Sequence, residues 1–203
     1  MKKRISEFVK SILAGLMIGI GASVFLSCEN KYVGATLFSI GLIAVVVLGF
    51  NLYTGKVGYL LGGDKEYFAD TVLSIFGNLV GCIMVGLTQA PIGAVISICE
   101  KRLDKGPLEI FIDAIFCGIL IFVPVEVYKR KGTFLGILIG IPTFILCGFE
   151  HSIADMFYFL NARMVSLDTA AFIGIAILGN AVGGLLIPAL MMLNEKLSPT
   201  PKQ

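Results

Sequence analysis

Tryptophan is absent from this chain, histidine occurs once, and only 15% of the 203 residues are charged. A soluble domain usually carries about 25% charged residues, so the shortage excludes an ordinary water-facing fold. The five cysteines (Cys28, Cys82, Cys99, Cys117 and Cys147) are scattered, mostly inside apolar runs. Their spacing excludes a disulfide framework and a zinc-type ligand set, so no metal and no cofactor is expected. The start Met1-Lys-Lys-Arg leads through Glu7 and Lys10 into an apolar run with no small-x-small cleavage pattern behind it. That first run is therefore expected to stay in place as a signal anchor. No nucleic-acid partner is expected.

What is present in excess is apolar: 57% of residues, blocked into long runs, together with 24 glycines. A membrane span needs about 20 apolar residues, and glycine lets such spans approach closely. The runs read as spans near 8–28, 33–62, 68–90, 107–128, 133–160 and 168–193. A more polar stretch, 91–106, joins two halves of one transmembrane domain, repeat 1 about 8–90 and repeat 2 about 107–193. Ten lysines and arginines fall in segments on the terminal side (Lys2, Lys3, Arg4, Lys10, Lys65, Lys129, Arg130, Lys131, Lys196, Lys202) and five on the other (Lys31, Lys101, Arg102, Lys105, Arg163). By the positive-inside rule both termini are expected in the cytoplasm of a multi-pass inner-membrane protein.

The halves resemble each other. LGFNLYTG (48–55) pairs with CGFEHSIA (147–154), and FGNLVG (76–81) with LGNAVG (178–183), at offsets of 99 and 102 residues. Three spans per half is odd, so the copies are expected to be inverted, and matching interruptions in such repeats mark a transport site. The second and fifth spans are too long for one straight crossing and are interrupted by polar residues. Irregular backbone at that depth is tolerated only where it is buried in protein or lines a wet cavity. His151, the sole histidine, sits in the second break and can lend or accept a proton near neutral pH. Thr54 offers a hydroxyl from the first break. Glu150 reads as a scaffold accepting freed backbone N–H groups, and Asn78 and Asn180 as braces for the broken backbone. The half-helix starts favour negative charge. Lys56 either snorkels to the headgroups or adds positive potential to an inner vestibule. Lys101, Arg102 and Lys105 read as solvated charges able to steer anions. Glu109 and Asp113 are assigned no chemistry. Gly15/Gly19 and Gly77/Gly81 read as helix contacts.

GFEHSIADMFYF (148–159), FGNLVGC (76–82) and LGFNLYTGK (48–56), with LAGLMIGIGAS (13–23) and FIDAIFCGIL (111–120), resemble the formate/nitrite transporter family over roughly residues 8–193. The resemblance implies an all-α, aquaporin-like fold of six transmembrane helices in two inverted three-helix repeats, a homopentamer with one pore per subunit, and passage of formate, nitrite, hydrosulfide or a short monocarboxylate. It implies His151 as the central histidine with Thr54 as its partner. Leu42, Leu52 and Tyr53 would line an inner constriction, and Phe38 and Phe144 an outer one with Val125 nearby. Lys105 would fall close to the family's vestibule lysine. Departures from the family pattern are Asn51 in place of an acidic residue, Asp155 in place of Asn, Phe122 in place of a fourth-helix Asn, and Lys56 in place of a small or polar residue.

An anion crossing two apolar slits pays a large desolvation cost, whereas its neutral acid does not. The expected mechanism is therefore transport of a weak-acid anion with a proton gained at or through His151. The alternative is a neutral-solute channel for water, a polyol or urea. A single histidine with no nucleophile or metal partner at useful spacing argues against an enzyme, and Ser152 beside His151 is not a dyad by adjacency alone.

Overall fold

The structure is a computed structural model that describes residues 2–198; Lys202 of the charge pattern lies outside the described residues. The described chain is helical, with no strand. In order it forms α1 (Lys2–Ser27), α2 (Lys31–Val47), α3 (Tyr53–Lys56) running into a 3-10 turn (Val57–Gly62), α4 (Lys65–Gly86), α5 (Val95–Leu103), α6 (Pro107–Lys131), α7 (Leu135–Cys147), α8 (Ser152–Asn161) and α9 (Leu167–Leu197).

Four of these helices, α1, α4, α6 and α9, are long and apolar enough to cross a membrane. Helices α7 and α8 qualify together, bent by 57° at their junction, and α2 is a shorter apolar helix of 17 residues. Helix starts are set locally: Asn30 caps α2, Asp64 caps α4, and Ser166 with Thr169 forms a reciprocal capping box on α9, each supplying an acceptor to otherwise unpaired N–H groups. The stretch 91–106, expected as a plain connection, contains α5. The reason is amphipathic: Val95 and Cys99 are buried one turn apart while Lys101 faces out.

Packing follows the same plan in both halves. Helix α1 packs most extensively on α4, and α6 on α9. The closest approaches use small residues. A Cβ on Gly77 would strike Ser11, one on Gly81 the backbone at Ile12, and one on Gly183 the backbone at Ile115. The halves then interlock, with α4 lying on α8 and α9 on the 3-10 turn that follows α3.

The two breaks have one construction. Gly49 and Gly148 both take left-handed backbone (φ +68° and +73°), the conformation that closes a helix C-terminus and that glycine adopts without a Cβ clash. In each copy the next N–H then reaches back five residues. Phe50 N donates to Val45 O at 2.9 Å, and Phe149 N to Phe144 O at 3.0 Å. At each junction the backbone leaves the helix, passes through an extended residue, Leu52 in one and His151 in the other, and restarts.

Candidate functional site

Each restart is held by an asparagine from the neighbouring long helix. Asn78 Oδ1 accepts from Tyr53 N at 2.9 Å, while its Nδ2 donates to Asn51 O at 2.9 Å and Ser11 O at 2.7 Å. Asn180 Oδ1 accepts from Ser152 N at 2.9 Å, while its Nδ2 donates to Glu150 O at 2.9 Å and Ala114 O at 2.8 Å. Both side chains are fully buried. The amide is the side chain suited to this task, because it offers donor and acceptor together where broken backbone leaves one of each. The first N–H of each half-helix is thereby taken, so these N-termini are less free to hold an anion than their position in sequence suggests.

Between the breaks lies the pair Thr54 Oγ1 and His151 Nε2, 3.0 Å apart and buried. His151 is also the N-cap of α8: its Nδ1 accepts from Ala154 N at 3.1 Å. A ring nitrogen that accepts carries no proton, so the neutral ring bears its proton on Nε2 and donates to Thr54. A second proton on Nδ1 requires the bond to Ala154 to open.

Two recesses lie by this pair, one with His151 in its lining and one with Leu52 and Gly55, the neighbours of Tyr53 and Thr54; they are called outer and inner after the orientation expected from the charge pattern. The outer one, roughly 230 Å³, is lined by Phe25, Phe144, His151, Arg102, Lys105 and Asp155 among others. Phe144 stacks on the His151 ring (centroids 5.6 Å, 23° between planes) and meets Phe38 edge-on at 6.2 Å. The inner one, roughly 240 Å³, is lined by Leu42, Leu52, Val125, Asn51, Lys56 and Lys129 among others. Phe144 thus lines the outer recess with Phe38 edge-on beside it, and Leu42 and Leu52 line the inner one.

Two expectations change. Val125, placed near the outer constriction, lines the inner recess, because α6 has run past the centre by that point. Tyr53, placed in the inner constriction, turns to α9, where its hydroxyl donates to Ile177 O at 3.0 Å. Phe122 packs against Tyr59 (centroids 5.6 Å) and lines neither recess.

The charges are more organised than the sequence suggested. Glu150, expected to accept backbone N–H groups, is buried and accepts from Arg102 Nε and Lys105 Nζ, each at 2.7 Å. Lys105 also donates to Asp113 Oδ2 at 2.6 Å and to Gly148 O at 3.2 Å. Arg102 Nε lies 3.2 Å from Asp155 Oδ1. Burial works against the charge on Arg102, but Asp155 and Glu150 more than offset it and hold the guanidinium charged. For Lys105 burial is likewise opposed, by hydrogen bonds to Asp113 and Glu150, and its ammonium is held above the usual lysine range. On the inner side Lys56 Nζ donates to Asn51 Oδ1 at 3.3 Å and lies 3.9 Å from Glu7, to which Asn51 Nδ2 also donates at 2.8 Å. Lys129 Nζ sits 3.3 Å from the centroid of the Tyr59 ring.

Sequence reasoning read Arg102 only as a solvated steering charge, missed Asp113 as the partner of Lys105, and missed Asp155 and Lys129 in the linings of these recesses. For Arg102 and Asp155 a signal existed: an unexpected acid one turn after His151 needs a cation, and Arg102 stood in the nearest basic run.

A family profile described as Formate/nitrite transporter matches residues 2–194. Among curated proteins the chain is similar to the uncharacterized transporter YrhG of Bacillus subtilis (29% identity over 187 residues, 80% of this chain and 70% of that one). It is similar to the formate channel FocA of Haemophilus influenzae (25%, 77% of this chain and 66% of that one) and to the nitrite transporter NirC of Salmonella typhimurium (28%, 75% and 66%). Among solved structures it superposes on an FNT family ion channel with TM-score 0.83 (23% identity, 97% of this chain and 91% of that one). A pentameric formate channel with formate bound gives TM-score 0.75 (22%, 97% and 99%). These two likenesses establish the fold.

Proposed function

The chain belongs to the formate/nitrite transporter family, and from that premise we propose that it carries a small monovalent weak-acid anion across a membrane, neutralised by a proton exchanged at His151. The observation that carries this reading is the buried Thr54–His151 pair, 3.0 Å apart, beside two recesses that each hold cationic side chains. Transport rather than catalysis is the family's activity. Its relatives FocA and NirC, described as a formate channel and a nitrite transporter, support formate, nitrite or a chemically similar acid as cargo.

The architecture we propose has six crossings in two inverted three-helix halves, within one transmembrane domain, aquaporin-like, with the second and fifth crossings broken at Gly49 and Gly148. The charge pattern supports cytoplasmic termini in an inner membrane. A likeness to a pentameric channel supports a homopentamer.

An anion is drawn to a recess by Lys56 and Lys129 on one side, or by the Arg102–Lys105 cluster on the other. It meets an apolar slit, Leu42–Leu52 or Phe38–Phe144, which a bare charge crosses only at high cost. His151 takes up a proton when Nδ1 leaves Ala154. The imidazolium presents Nε2–H to the anion; on transfer the cargo leaves as the acid and the ring is neutral with its proton on Nδ1, and the resting tautomer returns when Nε2 regains a proton and Nδ1 releases its own and accepts again from Ala154 N. Thr54 serves either direction, since a hydroxyl donates and accepts. Formate flux into proteoliposomes over a pH series tests this. His151→Phe is expected to abolish most flux and flatten its pH dependence. Unchanged rate and unchanged pH dependence would overturn the relay, and pH-independent flux of urea or glycerol through the unaltered chain would favour a neutral-solute channel.

A further inference from the structure

Arg102 enters the outer recess from α5 already anchored. Its Nε donates to Glu150 Oε2 at 2.7 Å and lies 3.2 Å from Asp155 Oδ1. Its guanidinium carbon stands 4.9 Å from the centroid of the Tyr158 ring, a cation–π contact that adds to this anchoring. Glu150 is in turn held by Lys105. One edge of the fork is thus occupied. The two terminal nitrogens donate no hydrogen bond to any described residue, yet they are not sealed from solvent. They border the recess whose floor is Phe144 and His151.

Each of the anions in question carries a single negative charge, so the potential of the outer recess does not tell them apart, and what can is the direction of the free N–H groups. A guanidinium edge offers two N–H groups in one plane, the geometry that matches two oxygens of a planar oxyanion. A single-atom anion accepts at one point and gains no such match.

Resting on the transport reading above, we propose that Arg102 is a specificity residue of the outer recess, selecting planar two-oxygen monoanions such as formate or nitrite over hydrosulfide or halide. Glu150 and Asp155 are its positioning residues. Asp155 is fully buried and neither of its oxygens takes a hydrogen bond from the guanidinium, which leaves the outer edge unspent. An ammonium in place of Arg102 keeps the charge for Glu150 and Asp155 but loses the fork.

The test is the ratio of formate to hydrosulfide flux through the full chain in proteoliposomes. Arg102→Lys is expected to lower that ratio about tenfold, the worth of one charge-assisted hydrogen bond, by reducing formate flux and leaving hydrosulfide flux intact. Because a lone buried carboxylate endangers folding, the double variant Arg102→Gln/Asp155→Asn is measured beside it; it removes the pair together, leaves Glu150 with Lys105, and is expected to lower the ratio equally. A folded variant of either kind with the unaltered chain's ratio overturns the role of Arg102 alone. Absence of flux for either anion through the unaltered chain overturns the transport reading, and this inference with it.

Discussion

At the scale of single residues, the site depends on side chains that complete hydrogen bonds the broken backbone leaves open. Asn78 and Asn180 each satisfy three backbone groups. A buried group left without its partner costs about 1–3 kcal/mol, so Asn180→Ala and Asn78→Ala are each expected to lower the unfolding midpoint of the detergent-solubilised protein by several degrees, and by similar amounts. A midpoint unchanged in either would remove that residue from the frame. Thr54 is expected to tolerate serine and not valine in formate flux, since only the hydroxyl serves His151. Arg102 and Lys105 are both held above their ordinary ranges. The stabilisation from a raised basic group is fully present below its ordinary value, 10.5 for lysine, and is lost only as pH rises through the raised one. These pairs are therefore expected to leave stability flat around neutral pH and to weaken it only in alkali, so a change of flux near neutrality does not come from them. The lone histidine, its break and the two asparagines stood out in the sequence because they interrupt apolar runs. The Arg102–Asp155 pair did not, because its members lie 53 positions apart and a basic run in a polar connection looks the same whether solvated or buried.

At the scale of elements, the breaks at α2–α3 and α7–α8 share a glycine in left-handed conformation, a backward N–H bond from a phenylalanine, and an asparagine brace. A side chain forced into that conformation costs about 1–2 kcal/mol. Gly49→Ala and Gly148→Ala, which meet nothing within 4 Å, are accordingly expected to destabilise by that strain alone and to nearly equal extents in thermal unfolding. A markedly larger loss at one would show that the two breaks are not built alike. Polar interruptions of over-long apolar runs marked the two junctions where one helix ends and the next begins, α2–α3 and α7–α8. The ends of the helices are set by caps such as Asn30 and Ser166, which hydropathy alone did not locate. Helix α5 was hidden because two buried positions, Val95 and Cys99, give too short a stripe to set against the charges that follow. The inner position of Val125 and the turn of Tyr53 toward α9 depend on how helices rotate against one another, which periodicity in one helix does not define.

At the scale of the whole molecule, small residues bring α1 onto α4 and α6 onto α9, and the asparagines on α4 and α9 then reach the breaks. Packing and site are the same construction, which places one buried hydroxyl–imidazole pair beside two recesses. The central claim is that the anion crosses with a proton. It is tested most directly by recording lumenal pH and membrane potential together while a formate gradient drives flux into liposomes holding the full chain, against protein-free liposomes. The account predicts that the lumen acidifies in step with formate uptake and that no potential develops. Formate uptake that builds an inside-negative potential without acidification would contradict it.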